Sequence, residues 1–156
     1  MSVYTAIDST ELSAFLEVFE LGQLLTYEGI TDGIENTNYF VKTTAGEFIL
    51  TVFEGASTFE LPYFLHLMAH LAAQGIPSAC PMADRSGRYL QTIRGKPATL
   101  VSRLGGSSVL LPTAKHCAAI GEALARMHLA AADFPERRAN DRGARWQRLT
   151  TDLITP

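Results

Sequence analysis

Apolar residues at Leu12, Phe15, Leu16 and Phe19 recur at i, i+3, i+4 and i+7, the spacing of one helix face. Asp8-Ser-Thr-Glu11 just ahead of them has the form of a capping box, and Gly22 follows the end. The period then shortens. Leu24–Ile30 reads as a first strand, residues 38–43 as a second and residues 47–54 as a third, with Thr44-Ala45-Gly46 turning between the last two. A second helix is expected to open near Ser57, with Ser57-Thr-Phe-Glu60 as its capping box and Pro62 tolerated in its first turns. It would carry Leu61, Phe64, Leu65, Met68, Leu71 and Ala72 inward and stop at Gly75, ahead of Pro77. Beyond the turn Arg85-Ser86-Gly87, residues 88–93 and 97–104 read as strands about a turn at Arg94-Gly95-Lys96. Gly105-Gly106-Ser107-Ser108 has the composition of a linker. Pro112 then opens a helix over residues 113–132, with Ile120, Leu124, Met127, His128 and Ala131 along one face. After Asp133 the chain is charged and aperiodic, without an apolar face to hold it, and is expected to be mobile. The order helix, hairpin, helix, hairpin, helix predicts an α+β fold with an antiparallel sheet.

A chain of 156 residues, 47% hydrophobic and 19% charged, can bury one sizeable core. No apolar run approaches the ~18 residues of a membrane span, and Met-Ser-Val-Tyr-Thr-Ala-Ile-Asp lacks the basic start and apolar stretch of a leader. A cytoplasmic protein without a membrane partner is expected. Cys80 and Cys117 form no metal-binding pattern and read as buried free thiols of a reducing compartment. The net charge of −3 conceals an asymmetry: residues 1–60 carry ten acidic side chains and one basic, Lys42, whereas residues 85–148 carry twelve basic and four acidic. Those arginines are scattered over turns and a tail, with no interleaved aromatics, which argues against nucleic acid as a partner. Complementarity between two parts of one fold, or between this chain and a further part of a longer protein, accounts for them better.

The stretch from Thr31 to Asn38 is the first candidate for chemistry. Gly33 permits a backbone path that most residues resist, and Asn36 and Asn38 are short and polar. Taken alone, such a stretch is either an ordinary hairpin turn or a loop whose N–H groups face an anion. Gly-Ile-Glu-Asn-Thr-Asn-Tyr-Phe-Val from Gly33, and Phe-Ile-Leu-Thr-Val-Phe-Glu from Phe48, resemble the opening of homoserine kinases built on the aminoglycoside-phosphotransferase fold. The likeness continues through the run from Gly95 to Gly106, similar to that family's route into its hinge, as far as Ala132. It implies a protein-kinase-like small lobe over residues 1–104, a hinge over 105–112, and the start of a large lobe over 113–156, led by that lobe's first helix. It further implies ATP-dependent phosphorylation of the L-homoserine hydroxyl, in threonine biosynthesis. Gly33, Ile34, Glu35, Asn36, Thr37 and Asn38 would lie over the phosphates with Thr51 beside them, and Ser102, Arg103 and Leu104 would meet the adenine. Mg2+ would accompany the ATP, its ligands lying outside these residues. A sister phosphotransferase acting on choline or an aminoglycoside is the alternative among enzymes; a non-catalytic nucleotide-binding or interaction module is the alternative outside them.

Several residues depart from that pattern or imitate it. Thr51 stands where protein kinases carry a strand-three lysine paired with a helix glutamate. Glu60 could be that glutamate, although Ser57-x-x-Glu60 favours a cap. His128 matches the family's helix histidine and reads as a packed structural group; His66 and His70 lack a third metal ligand and read as a solvated helix face. Asp133-Phe134 and Asn140-Asp141 imitate metal-binding motifs without the required context. None of the four histidines is followed two places later by aspartate, so neither the kinase-type general base nor its loop occurs in this sequence. The chain is therefore expected to match only the N-terminal half of such a kinase, with no catalytic residue of its own. The apolar face of helix 113–132 would then favour self-association.

Overall fold

The computed structural model describes residues 3–55 and 59–139, together with Arg148 and Thr151. Helix α1 (Ser9–Leu16) runs into a 3-10 turn at Glu17–Phe19, followed by strands β1 (Leu24–Ile30), β2 (Thr37–Thr43) and β3 (Gly46–Val52). Helix α2 (Leu61–Ala73), strands β4 (Gln91–Ile93) and β5 (Lys96–Ser102), and helix α3 (Ala114–Ala132) complete the order. The strands form one antiparallel sheet in the order β1-β2-β3-β5-β4.

Alternation along the strands gives the sheet two unlike faces. Tyr39 opposes Leu50, Val41 opposes Phe48, and Leu50 in turn opposes Leu100, stacking these side chains on one face. Leu12, Phe15 and Leu16 of α1, with Phe19, close over them and make the core. The capping box that starts α1 forms as expected: Asp8 Oδ1 accepts from the N–H groups of Thr10 and Glu11 at 2.9 Å, and the Asp8 N–H donates to Glu11 Oε2 at 3.0 Å.

The charge asymmetry resolves into contacts across the fold. Arg94 pairs with Glu11, Arg85 with Glu20, Arg103 with Glu47, Lys96 with Glu54 and Arg138 with Glu60, each joining the basic second part of the chain to its acidic start.

Four expectations are corrected. Strand β4 begins at Gln91 rather than residue 88, because the buried Asp84 carboxylate takes the N–H groups of Ser86 (2.8 Å) and Arg88 (2.9 Å) and closes the chain into a turn. Helix α2 begins at Leu61, its N-cap Glu60 makes no side-chain cap, and Phe64 points outward under the Arg138 guanidinium, 5.2 Å from the ring centroid. The Ser57 part of the expected capping box lies outside the described residues. Cys117 is an exposed thiol and Cys80 half-buried, so the buried-thiol expectation fails for Cys117. Residues just beyond α3 are docked rather than loose: Phe134 is buried against Tyr63 and His70, and Arg138 holds Glu60. The Asn140-Asp141 pair lies outside the described residues. Among the described residues no helix is long and apolar enough to cross a membrane.

Leu50 is fully buried at the centre of this layer. Leu50→Ala should destabilise the chain by about 2–5 kcal/mol through lost transfer energy and a residual cavity. Urea unfolding followed by circular dichroism should show the midpoint fall while the slope stays constant.

Four carboxyls also tie stability to pH. The Arg88 backbone N–H, with help from Ser86, holds Asp84 well below the usual carboxylate range; the Arg94 side chain lowers Glu11 and the Arg103 side chain lowers Glu47. At Glu54 burial pushes the carboxyl up, but hydrogen bonds from Lys96, Thr37 and Thr5 outweigh it and leave it lowered. All four are depressed on folding, so their contribution is complete above the unfolded values, about 3.9 for Asp and 4.3 for Glu, and is lost as pH falls through the folded ones. The melting temperature should therefore drop on acidification below about pH 4. Asp84→Asn should lower the melting temperature at neutral pH and make this acid-side drop shallower.

Candidate functional site

The face of the sheet turned away from α1 is lined by the alternate residues. Asn38, Phe40 and Lys42 of β2 stand across from Thr51, Ile49 and Glu47 of β3 in register, and Glu28 and Thr26 of β1 continue the rows beside Phe40 and Lys42. These positions are half-buried or exposed, unlike their neighbours beneath α1. A cavity of about 350 Å³ lies on this face between β1, β2 and the end of β5, lined by Thr26, Glu28, Phe40, Lys42, Glu47 and Arg103 among others. Its volume is in the range of small-molecule sites, roughly 300–1,000 Å³.

At one end of this face, residues 31–36 form the loop between β1 and β2. Gly33 has φ +121°, a backbone state that a side chain would strain, which gives the glycine a physical reason. Ile34 and Glu35 are exposed at its tip, and Asn36 is half-buried at its foot. Asn38 accepts from Thr51 Oγ1 at its Oδ1, 2.8 Å, so the strand-three threonine and this asparagine form one polar pair on the outer face. Thr37 is placed differently. Its side chain is fully buried on the α1 face, where Oγ1 donates to Glu54 Oε1 at 2.5 Å and accepts from the N–H of Tyr4 and of Thr5.

The opposite end of the face is the exit of β5. Ser102 Oγ accepts from the Cys80 N–H at 2.9 Å, and its own N–H donates to the Cys80 carbonyl at 2.8 Å. Arg103 still belongs to the sheet, its N–H donating to the Glu47 carbonyl and its Nη1 to Glu47 Oε2 at 2.7 Å. The guanidinium lies over the Phe40 ring, 4.9 Å from the centroid, which adds a cation–π contact. Leu104 is half-exposed and starts the extended run to α3. Sequence order alone does not bring the loop and residues 102–104 together; β2 and β3, which lie between them, give them a common face.

The cations are not where a strand-three lysine would be. Lys42 pairs with Glu47 at 3.4 Å, farther along β2, and the Lys96 Nζ pairs with Glu54 on the far side of the sheet. Glu60 binds Arg138 and is not directed at β3. Whatever anion the loop receives would meet backbone N–H groups before side-chain charge. The open face, the glycine loop and the ring-sized cavity fit a nucleotide; among the described residues no group of three His, Cys, Asp or Glu could hold a metal ion.

Both α2 histidines have partners: His66 is exposed, as expected, whereas His70 is half-buried. His66 Nδ1 lies 2.6 Å from Glu136 Oε1 and His70 Nε2 lies 2.9 Å from the Ala130 carbonyl, docking α2 to α3 and the segment after it. His128 is exposed instead of packed, and Met127, Ala130 and Ala131 take the half-buried positions. Asp133 is the C-cap residue of α3, its N–H donating to the Ala131 carbonyl. Two clusters escaped sequence reasoning altogether: Asp84 with Ser86, Arg88 and Gln91, and Thr5 with Thr37, Glu54 and Lys96. A local Asp-x-Ser-x-Arg pattern signals the first. The second spans up to 91 positions and leaves no local signal.

Comparison with known proteins bears on the same residues. The model of a phosphotransferase enzyme family matches residues 26–154. A homoserine kinase of Polaromonas naphthalenivorans (strain CJ2) is 47% identical over 156 residues, the whole of this chain and 49% of that protein. One from Caulobacter sp. (strain K31) is 54% identical over 144 residues, 92% of this chain and 45% of the relative. The chain thus spans about half the length of the curated relatives it matches. Among solved structures, a spectinomycin phosphotransferase in complex with ADP and spectinomycin superposes with a TM-score of 0.69 over 97% of this chain and 47% of that one, at 14% identity, a likeness of fold. Its sheet and loop are those of a kinase-like small lobe, and with a family match running from β1 past the end of α3, the chain belongs to the phosphotransferase enzyme family.

Proposed function

We propose that this chain is the nucleotide-binding part of an ATP-dependent kinase that phosphorylates the hydroxyl of L-homoserine. The observation that carries the reading is the outer face of the sheet, with the Gly33 loop at one end and an open cavity beside the β5 exit at the other, in a chain 40–54% identical to proteins named homoserine kinase. In this reading residues 1–104 are the small lobe, 105–112 the hinge and 113–156 the start of the large lobe. Backbone N–H groups of residues 33–38 receive the phosphates beside Thr51, and the backbone of residues 102–104 meets the adenine. Phe40 and Ile49 form the apolar floor under the base, where burying a flat ring is favourable.

Phosphoryl transfer depends mainly on positioning and on charge stabilisation by metal ions. The sequence holds no His-x-Asp, so the general base and the Mg2+ ligands come from outside these residues, and homoserine is met there too. The exposed Ile120 and Leu124 of α3 belong to the same reading, as a surface that further protein, or a second copy of this chain, would cover.

The reading is tested by turnover. Incubated with ATP, magnesium and homoserine, the chain alone should form no phosphohomoserine above a denatured control. Joined in frame to the second half of the Polaromonas relative, it should support phosphohomoserine formation. Turnover by the chain alone would contradict the assignment of base and metal ligands to another part. A folded, nucleotide-binding chimera that phosphorylates choline or an aminoglycoside in place of homoserine would contradict the acceptor.

A further inference from the structure

The loop of residues 31–36 is exposed along most of its length and has no strand-three lysine beside it. A loop that must hold phosphate through its own N–H groups loses affinity to the cost of being ordered, unless something orders it beforehand. The start of the chain lies where it can do this. On the α1 face, directly beneath the loop, the N–H groups of Tyr4 and Thr5 both donate to Thr37 Oγ1, at 2.9 and 3.0 Å. Thr37 is the first residue of β2 and so the foot of the loop. The strand leading to the other foot is contacted as well: at Gly29, one residue before the end of β1, a Cβ would come within 2.8 Å of Val3 Cγ2, so the glycine lets the Val3 side chain lie against β1. From this base the Tyr4 hydroxyl reaches up and donates to the Ile34 carbonyl at the loop's tip, 3.2 Å away.

The anchor of this segment is itself buried and charged. Glu54 Oε1 accepts from Thr5 Oγ1 at 2.7 Å and from Thr37 Oγ1 at 2.5 Å, while Lys96 Nζ donates to Glu54 Oε2 and to Thr5 Oγ1. Thr5 and Thr37 are buried, and the Glu54 side chain keeps 14% of its surface exposed. Tyr39 closes the set, its hydroxyl donating to the Thr5 carbonyl and accepting from the Ile7 N–H. A hydroxyl with this many partners does more than fill space, because an apolar replacement strands several buried donors and acceptors at once.

We propose that residues 3–7 are a positioning element for the nucleotide loop: anchored on Thr37, Glu54 and Lys96, they hold the strands on both sides of the loop, and Tyr4 fixes its tip. The Tyr4 and Thr37 side chains are thus positioning groups that act on phosphate from the opposite side of the sheet, without touching it. The proposal rests on the nucleotide reading above and names what prepares that site.

The test compares Tyr4→Phe, Thr37→Val and Thr37→Ser in the full chain, with three readouts: melting temperature, backbone 15N order parameters of residues 32–36 without nucleotide, and ATP affinity from amide shifts. Tyr4 is more than half exposed, so its phenylalanine variant should melt with the parent. Its loop order parameters should fall from the rigid value near ~0.85 toward ~0.6, and ATP affinity should fall about two- to tenfold, the equivalent of one hydrogen bond. Thr37→Val should loosen the loop further and Thr37→Ser should restore it, since serine keeps the hydroxyl. A Tyr4→Phe chain with parental loop order, or with a loosened loop and parental affinity, would overturn the proposal. So would affinity losses that merely track melting temperature. Failure of the unaltered chain to bind ATP at all would overturn the nucleotide reading, and this proposal with it.

Discussion

Side chains of successive strand residues point to opposite faces, and in this sheet only one face is covered by α1. Tyr39, Val41, Phe48, Leu50, Val52 and Leu100 disappear beneath α1, which obliges Asn38, Phe40, Lys42, Ile49 and Thr51 to look the other way. A slip of one residue in the pairing of β2 with β3 would exchange the two sets, exposing the core and burying Lys42 and Glu47. The register that stabilises the fold is therefore the same register that creates the candidate site. Ion pairs add to this division of labour: Arg94 with Glu11 ties the second hairpin to α1, whereas Arg103 with Glu47 borders the open face.

Much of this was readable from the order of residues, because it depends on local period. Leu12, Phe15, Leu16 and Phe19 announce α1, and Tyr39 to Val41 and Phe48 to Val52 announce the hairpin that carries the loop. The charge imbalance also announced its own resolution, although not which carboxylate each arginine meets. What local pattern misses is polar chemistry assembled from distant parts. Asp84 shortened β4 by competing for backbone N–H groups, and Arg138, 78 positions away, pairs with Glu60. Thr37 reads as one more polar residue of a phosphate loop, yet its hydroxyl is committed to Tyr4, Thr5 and Glu54, with none of these within sixteen positions of it in sequence. The aperiodic segment after Asp133 looked loose because a single buried aromatic, Phe134, leaves no periodic trace.

Thr51 gives the site its particular character. Where a lysine would supply a point charge, the outer face presents a hydroxyl paired with Asn38, and the nearest cations are engaged elsewhere. In the proposed reading backbone donors then carry more of the anion binding, and their value depends on how well the loop is held in advance. The chain spans about half the length of the relatives it matches, and in the proposed reading its sheet supplies a floor, a loop and an exit strand for a nucleotide. That reading assigns recognition of the nucleotide and chemistry on it to different stretches of sequence.

The most direct test of this account is an amide-shift titration of the chain with ATP. Shifts should concentrate in residues 33–38 and 102–104, with smaller ones at Phe40 and Ile49. With one lobe contributing, saturation should be weak, about millimolar or roughly −4 kcal/mol. Shifts confined to the arginines beyond α3, or spread along the α1 face, would contradict the claim that the open face of the sheet is the nucleotide site.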